Sequence, residues 1–286
     1  MEQPHLSSLH FEGIDQPVTL IDCDELFPML KAIFRHSSIN KVPQTAESSF
    51  HITLRKTEKG YQRSSLWLEV PVIHPDPVDA VCDLTVDLIH SFVTDHPGYL
   101  CLHSAASLFN RGLFLFPSTY RSGKSTLSLH LAFNGVPLIT DDALPVASET
   151  NEAMATALYP RLRLPLPDSV SPEFRNYITQ RVALRNDRYC YVALDHSEQL
   201  CLGTMAPIVG IVLLDLDLDC PETVLERTSK KEVIKEIILR NFARQNKAID
   251  IVERIYAIAE TAECYRLTYE NPDKAAKLLI ENFHSE

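Results

Sequence analysis

The chain has 286 residues, with 27 Lys plus Arg against 38 Asp plus Glu, which gives a formal charge of −11 at neutral pH. That acidity excludes nucleic acid or an acidic membrane surface as the main partner, because both are gripped through many Lys and Arg contacts to phosphate. At 45% hydrophobic and 23% charged, the composition is that of a globular protein. A chain near 300 residues buries about 75% of its unfolded surface, so neither disulfides nor a structural metal is required.

The seven cysteines are odd in number and scattered, with no CxxC pair. This is the usage of a reducing compartment, where cysteine serves as a small buried apolar residue. The start, MEQPHLSSLHFEGIDQP, carries acids and prolines where a signal peptide needs basic residues and an apolar run, and no stretch reaches the about 18 apolar residues of a membrane span. A cytoplasmic, soluble protein is expected.

From residue 1 to 97 the pattern is mixed, and an α+β region is expected. Phe50 to Leu54 and Leu66 to Val72 have β-rich or alternating character and predict strands. Pro77 to Thr94 predicts a helix: its apolar residues mostly recur every three or four positions, Pro77 suits the first helical position, and Asp95-His96-Pro97-Gly98 is a stop. The character changes over 98–286. Tyr99 to Phe109 reads as a strand, Asn110-Arg111-Gly112 as a tight turn, and Leu113 to Phe116 as its paired strand. A loop and a helix from about Gly123 to the Asn134-Gly135 stop follow, and then a strand over Val136 to Thr140 ending on Asp141-Asp142. Further strands are expected at Leu144 to Ala147, Tyr189 to Leu194 and Ile208 to Leu214, with a proline-rich stretch over Pro160 to Pro172. Ser229 and Glu232 have capping-box spacing and open a helix with Val233, Ile234, Ile237, Ile238 and Phe242 on one side. A helix over Ile249 to Glu260, a strand over Cys264 to Tyr269 and a last helix capped by Asn271 with Pro272 at its first position complete the chain.

The segment from Phe116 to Thr126 (FPSTYRSGKST) sits between a strand and a helix, where free backbone N–H groups and the helix dipole face an anion. In that setting Ser122, Gly123, Lys124, Ser125 and Thr126 are candidate nucleotide-binding residues. Lys124 would lie on the β/γ-phosphates, the Ser125 hydroxyl on Mg2+, and Arg121 would be an additional phosphate contact. The motif GxxxxGK[ST] is incomplete, since Ser118 stands where the first Gly belongs and bulky Tyr120 and Arg121 replace small residues. Asp141 and Asp142 fall at the carboxyl end of the next strand, the edge of an α/β sheet where ligands bind. Neighbouring residues there point to different sides, so one carboxylate would serve the metal and the other the acceptor hydroxyl. His103, in the strand before the turn, is a further candidate.

The ordered pattern Leu102-His103-Ser104-Ala105-Ala106, Asn110-Arg111-Gly112, Gly123-Lys124-Ser125-Thr126-Leu127 and Gly135 to Asp142 resembles the catalytic domain of HPr kinase/phosphorylase and its related serine kinases, whose fold is similar to phosphoenolpyruvate carboxykinase. The likeness covers about Tyr99 to Ala147, and more loosely Tyr265 to Leu267 and Pro272 to Leu279. It implies a P-loop-containing HPr kinase C-terminal-domain-like α/β fold over 98–286. It also implies Lys124 and Ser125 on phosphate and Mg2+, Asp141 as acid/base, Asp142 on the metal side, and His103 beside the phosphates. Arg163, in Pro160 to Leu164, is offered as a phosphate or acceptor contact. The family's glycines are replaced at Ser118 and Arg121, and its second magnesium-binding carboxylate segment has no counterpart at a matching position. Residues 1–97 resemble nothing recognisable and are free to carry acceptor recognition.

The expected activity is an ATP- and Mg2+-dependent transfer of phosphate to a hydroxyl, foremost Ser of a protein or peptide. The rival readings are a nucleotide-sensing pseudokinase, which the altered loop motivates, and a carboxykinase-like enzyme on a small metabolite. Family members often form rings, so a homo-oligomer is left open, although no hydrophobic stripe demands it.

Overall fold

The computed structural model describes residues 4–34, 38–42, 51–117, 122–167, 170–242 and 247–284. The chain is mixed α/β, with several sheets and seven helices among those residues. It divides into two compact units, Met1–Pro97 and Gly98–Glu286. No helix among the described residues is long and apolar enough to cross a membrane. All seven cysteines are free, and only Cys201 is exposed.

The N-terminal unit contains β1 (Leu6–Phe11), β2 (Val18–Ile21), α1 (Leu26–Ile33), β3 (Ile39–Val42), β4 (Ile52–Thr57), β5 (Gly60–Ser65), β6 (Val72–His74) and α2 (Pro77–Asp95). The strands form one sheet in the order β3-β1-β2-β4-β5-β6, in which only β2 and β4 run parallel. Pro77 stands in the first turn of α2, and the Asp76 carboxylate accepts from the Val78 and Asp79 N–H groups, which accounts for the sharp start. Phe50 lies outside the described residues, and the strand begins at Ile52. The strand expected over Leu66 to Val72 is not formed: the chain turns at Leu66-Trp67 and stays irregular to Pro71, leaving Leu66 and Val70 67% and 69% exposed. The strand lies just before it, in the polar run Gly60–Ser65. Its Arg63 is buried because Asp87 of α2 neutralises it, so a core-facing position carries a charge that hydropathy reads as surface.

The C-terminal unit runs through β7 (Tyr99–His103), β8 (Ala105–Phe109), β9 (Gly112–Phe116), α3 (Lys124–Phe133), β10 (Leu138–Thr140), β11 (Ala143–Ala147), β12 (Glu152–Met154), β13 (Arg161–Arg163), α4 (Pro172–Gln180), β14 (Val182–Arg185), β15 (Tyr189–Val192), β16 (Met205–Leu216), β17 (Val224–Arg227), α5 (Lys230–Ile238), α6 (Ala248–Thr261), β18 (Glu263–Tyr269) and α7 (Pro272–Phe283). The main sheet follows β10-β8-β9-β16-β12-β11-β7, with β18 on β16 and β17 on β18. β9 and β18 run parallel to β16, and β10 is antiparallel to β8, which is antiparallel to β9. The strands β9, β10, β16 and β18 therefore share one direction and end at one sheet edge.

Both faces of this sheet are covered, which explains its almost unbroken apolar strands. Leu113, Leu115, Ile211 and Leu213 pack with Val233, Ile237, Ile255 and Ile258 of α5 and α6. Phe114, Phe116, Val212 and Leu214 pack on the other side with Leu127 and Leu131 of α3 and Ala276, Leu279 and Phe283 of α7. The small sheet β13-β15-β14 and α4 pack against α3 through Leu129, Ala132, Leu162, Phe174 and Cys190. Asn271 caps α7 by accepting from the Asp273 and Lys274 N–H groups, with Pro272 in the first turn.

The expected single strand over Tyr99 to Phe109 is two strands. At Ser104 the chain leaves β11, the partner of β7, and enters the pairing of β8 with β9 and β10. Ser104 is fully buried, with its hydroxyl donating to the Ala105 C=O. Strand β10 is shorter than expected, beginning at Leu138, and β15 stops at Val192. Phe242 is not on α5: the helix ends at Ile238, and residues 240–242 run beside β7 with Asn241 bridged to Leu102. A one-residue extension of the apolar spacing hid this break.

Candidate functional site

The helix α3 starts at Gly123, whose φ of +81° is the left-handed conformation that favours glycine. Lys124 and Ser125 are thereby placed on the first turn, at the positive end of the helix dipole, with Thr126 half-buried behind them. Ser122 is buried just before the turn, and its hydroxyl has no hydrogen-bond partner among the described residues. Arg121, together with Ser118, Thr119 and Tyr120, lies outside the described residues.

Strand β10 ends at the same sheet edge as β9, which feeds the loop, and delivers Asp141 and Asp142 there. The two carboxylates have different company. Asp141 is 4% exposed and accepts hydrogen bonds from the Ser125 hydroxyl and, at 3.2 Å, from the Arg161 N–H. Burial and the charge of Asp142 push its carboxyl up to about 6, against those hydrogen bonds. Asp142 is half-buried, and one of its oxygens is 2.7 Å from His103 Nε2. Burial pulls the Asp142 carboxyl upward, but the hydrogen bond and charge of His103, with Arg161 and Lys124, outweigh it and hold it below the usual carboxylate range.

The His103–Asp142 contact follows from topology. Residues 103–104 and 141–142 are the points where two chain segments pass side by side from one part of the sheet to the other. His103 pairs with Ala143 in the β7–β11 ladder, and the Ser104 N–H donates to the Asp142 C=O at 3.0 Å. Lys124 is buried, and desolvation pulls its ammonium below the usual lysine range. The charges of Asp142 and Asp141 oppose that shift, and Arg240 adds to it.

Two arginines at this place escape sequence reading. Arg161 approaches the acid pair through its backbone N–H and its charge, with its guanidinium 4.9 Å from the centre of the Tyr189 ring. Arg163, the arginine expected from the Pro160 to Leu164 segment, is exposed on the same strand. Arg240 follows α5, is held to Glu236 at 3.2 Å, and accepts the His103 N–H on its C=O at 2.7 Å. Phe242 flanks the His103 ring at 5.9 Å between centroids. Nothing local in the sequence marks Arg240, because its place depends on the helix ending early and the chain returning along β7.

The structure thus brings Lys124, Ser125, Asp141, Asp142 and His103 together at one edge of the mixed main sheet, with Ser122 and Gly123 at the mouth of the helix. The donor set is hard oxygen chemistry of the kind Mg2+ takes when polyphosphate supplies part of its shell. Among the described residues no group of three or more His, Cys, Asp and Glu side chains forms a metal cage by itself.

A helix N-terminus that carries a buried lysine therefore stands beside paired carboxylates at the sheet edge. No family model matches the chain, and no curated protein matches it. The functional reading therefore rests on this geometry and on the residues that form it.

Proposed function

We propose that the C-terminal unit is an ATP- and Mg2+-dependent phosphotransferase with the HPr-kinase-like P-loop fold, acting on a hydroxyl, foremost Ser of a protein or peptide. The observation that carries this reading is the junction of α3 with the acid pair: Gly123 opens the helix, Lys124 is buried against Asp141 and Asp142, and the Ser125 hydroxyl bonds Asp141. A lysine among such charges is suited to exchange them for the β/γ-phosphates, whose charge it meets as the phosphoryl group moves. Arg240, which bears on Lys124, adds positive potential.

The carboxylates take separate roles because their environments drive their protonation apart. Asp141, near 6, is poised to accept the proton of an acceptor hydroxyl close to neutral pH. Asp142 stays ionised beside His103 and suits the cation side. Ser125 and Asp142 would hold Mg2+, which when bound neutralises phosphate charge and orients the transferred group. His103 keeps the Asp142 carboxylate charged and fixed.

The test is a pair of variants assayed for nucleotide binding and for phosphate transfer to a panel of protein, peptide and small-molecule acceptors. Lys124→Ala should abolish nucleotide binding, whereas Asp141→Asn should bind and not transfer. Transfer at the wild-type rate by Asp141→Asn sinks the assignment of the base. A second reading, a nucleotide-sensing pseudokinase, is favoured by Ser118 and Arg121 at positions where the resembling family has glycine. It is supported if the wild-type protein binds Mg2+–ATP while labelled phosphate reaches no acceptor in the panel.

A further inference from the structure

Tyr269 is the last residue of β18 and is fully buried. Its hydroxyl donates to the Ser122 C=O at 2.7 Å, across 147 positions of sequence. Its backbone is fixed, since Tyr269 pairs with Leu216 in the β16–β18 ladder and its C=O accepts the Asp217 N–H at 3.0 Å. The hydroxyl is therefore presented to the loop from a rigid strand end.

At the entrance to an anion site a backbone carbonyl is unfavourable, because its oxygen carries the wrong partial charge. Turned away from the anion into the protein, it must find a donor. Tyr269 is that donor. The Ser122–Gly123 peptide bond is trans, so its C=O and N–H point in opposite directions. Tying the carbonyl to Tyr269 therefore aims the Gly123 N–H away from the tyrosine. A Cβ on Gly123 would stand 2.6 Å from the Tyr269 hydroxyl oxygen, so the close approach and the positive φ both require glycine. The Ser122 hydroxyl, buried without a partner among the described residues, is a second donor at the same turn.

We infer that Tyr269 is a positioning residue for a bound phosphate: it turns the Ser122–Gly123 peptide so that the Gly123 N–H and the Ser122 hydroxyl serve the anion. This rests on the phosphate reading of the site, and it places part of the nucleotide affinity in a residue almost 150 positions from the loop. The role acts on the phosphates rather than on the nucleoside.

The experiment titrates the full-length protein with Mg2+–ADP and with Mg2+–pyrophosphate by calorimetry, for wild type and Tyr269→Phe, which keeps the ring in the core. One lost buried hydrogen bond predicts affinity about 5- to 10-fold weaker, by the same factor for both ligands. Thermal unfolding should move by only a few degrees, whereas a merely structural role would move the melting point and leave the affinity of the folded protein unchanged. Equal affinities of wild type and Tyr269→Phe overturn the inference, and so does a loss seen with ADP but not with pyrophosphate. Wild type binding neither ligand overturns the phosphate reading itself, and this inference with it. Should Tyr269→Phe not fold, Gly123→Ala decides, because its methyl group meets the hydroxyl and displaces the same peptide. Unchanged pyrophosphate affinity there overturns the inference.

Discussion

In the N-terminal unit Arg63 and Asp87 are buried as a matched pair: Arg63 Nη1 meets the carboxylate at 2.6 Å, and the Ser65 hydroxyl takes its other oxygen at 2.9 Å. In the C-terminal unit Asp141 and Asp142 are adjacent acids sharing partners, with the first pushed toward neutrality and the nearby Lys124 pulled down. The first network meets the Arg63 charge locally with carboxylates, although Arg63 Nε has no hydrogen-bond partner among the described residues. The second leaves opposing shifts, which the proposed polyphosphate and cation would relieve. A balanced buried pair holds a helix to a sheet, and an unbalanced one is a place for chemistry, at a cost in stability.

The largest expected effect sharpens the chemical side of this contrast. Asp141→Asn should lower the phosphate-transfer rate by about 10²–10⁴-fold, the usual worth of a positioned base, while calorimetric nucleotide affinity stays within a few-fold of wild type. A rate within tenfold would show that Asp141 is not the base. Next, Asp87→Ala should destabilise the N-terminal unit by about 3–5 kcal/mol, because buried Arg63 keeps only the longer contact to the exposed Asp83 at 3.8 Å. Denaturant unfolding measures this, and a loss below about 1 kcal/mol would erase the distinction between the networks.

The next effect is on stability alone. A carboxyl at about 6 when folded and 3.8 when unfolded makes the native state bind the extra proton between those values, so its contribution falls as pH rises through that window. Without nucleotide, Asp141→Asn should therefore be more stable than wild type by about 2–3 kcal/mol above pH 6.5, with the gain gone near pH 3.5. Equal stability at pH 7.5 would mean that the acid pair is balanced after all.

The smallest effect comes from a buried group outside either network. His130 stacks on Phe174 at 3.7 Å between centroids, and burial pulls it down to about 4, against the charge of Asp273. The unfolded chain binds the proton first, so stability is lost as pH falls from 6.5 toward 4. His130→Phe should remove about 1–2 kcal/mol of that acid sensitivity at pH 5, read from the pH dependence of the unfolding midpoint.

Much of the site was legible in residue order. The loop between strand and helix, the buried Lys124 and the acids after the next strand all lie within thirty residues, where spacing and turn chemistry act locally. Arg163 is offered by the Pro-x-x-Arg-Leu form of its segment, which carries no information about the acid pair, whereas Arg161 is the arginine whose N–H reaches Asp141, twenty positions away. The polar strand Gly60–Ser65 was missed because its buried arginine is neutralised by a helix that hydropathy treats separately.

By itself the sequence determined where α2, α3, α5, α6 and α7 begin, and that a strand, a loop ending in Gly123-Lys124-Ser125 and a helix precede the two acids in order. These depend on capping, φ preferences and periodicity over a few residues. Only the tertiary structure decided that His103 holds Asp142, that Arg240 returns to the lysine, and that Tyr269 grips the Ser122 carbonyl. Each of these joins strand or helix ends far apart in the chain. Such contacts are selected by sheet order and by the satisfaction of buried polar groups, and neither is encoded in any local pattern.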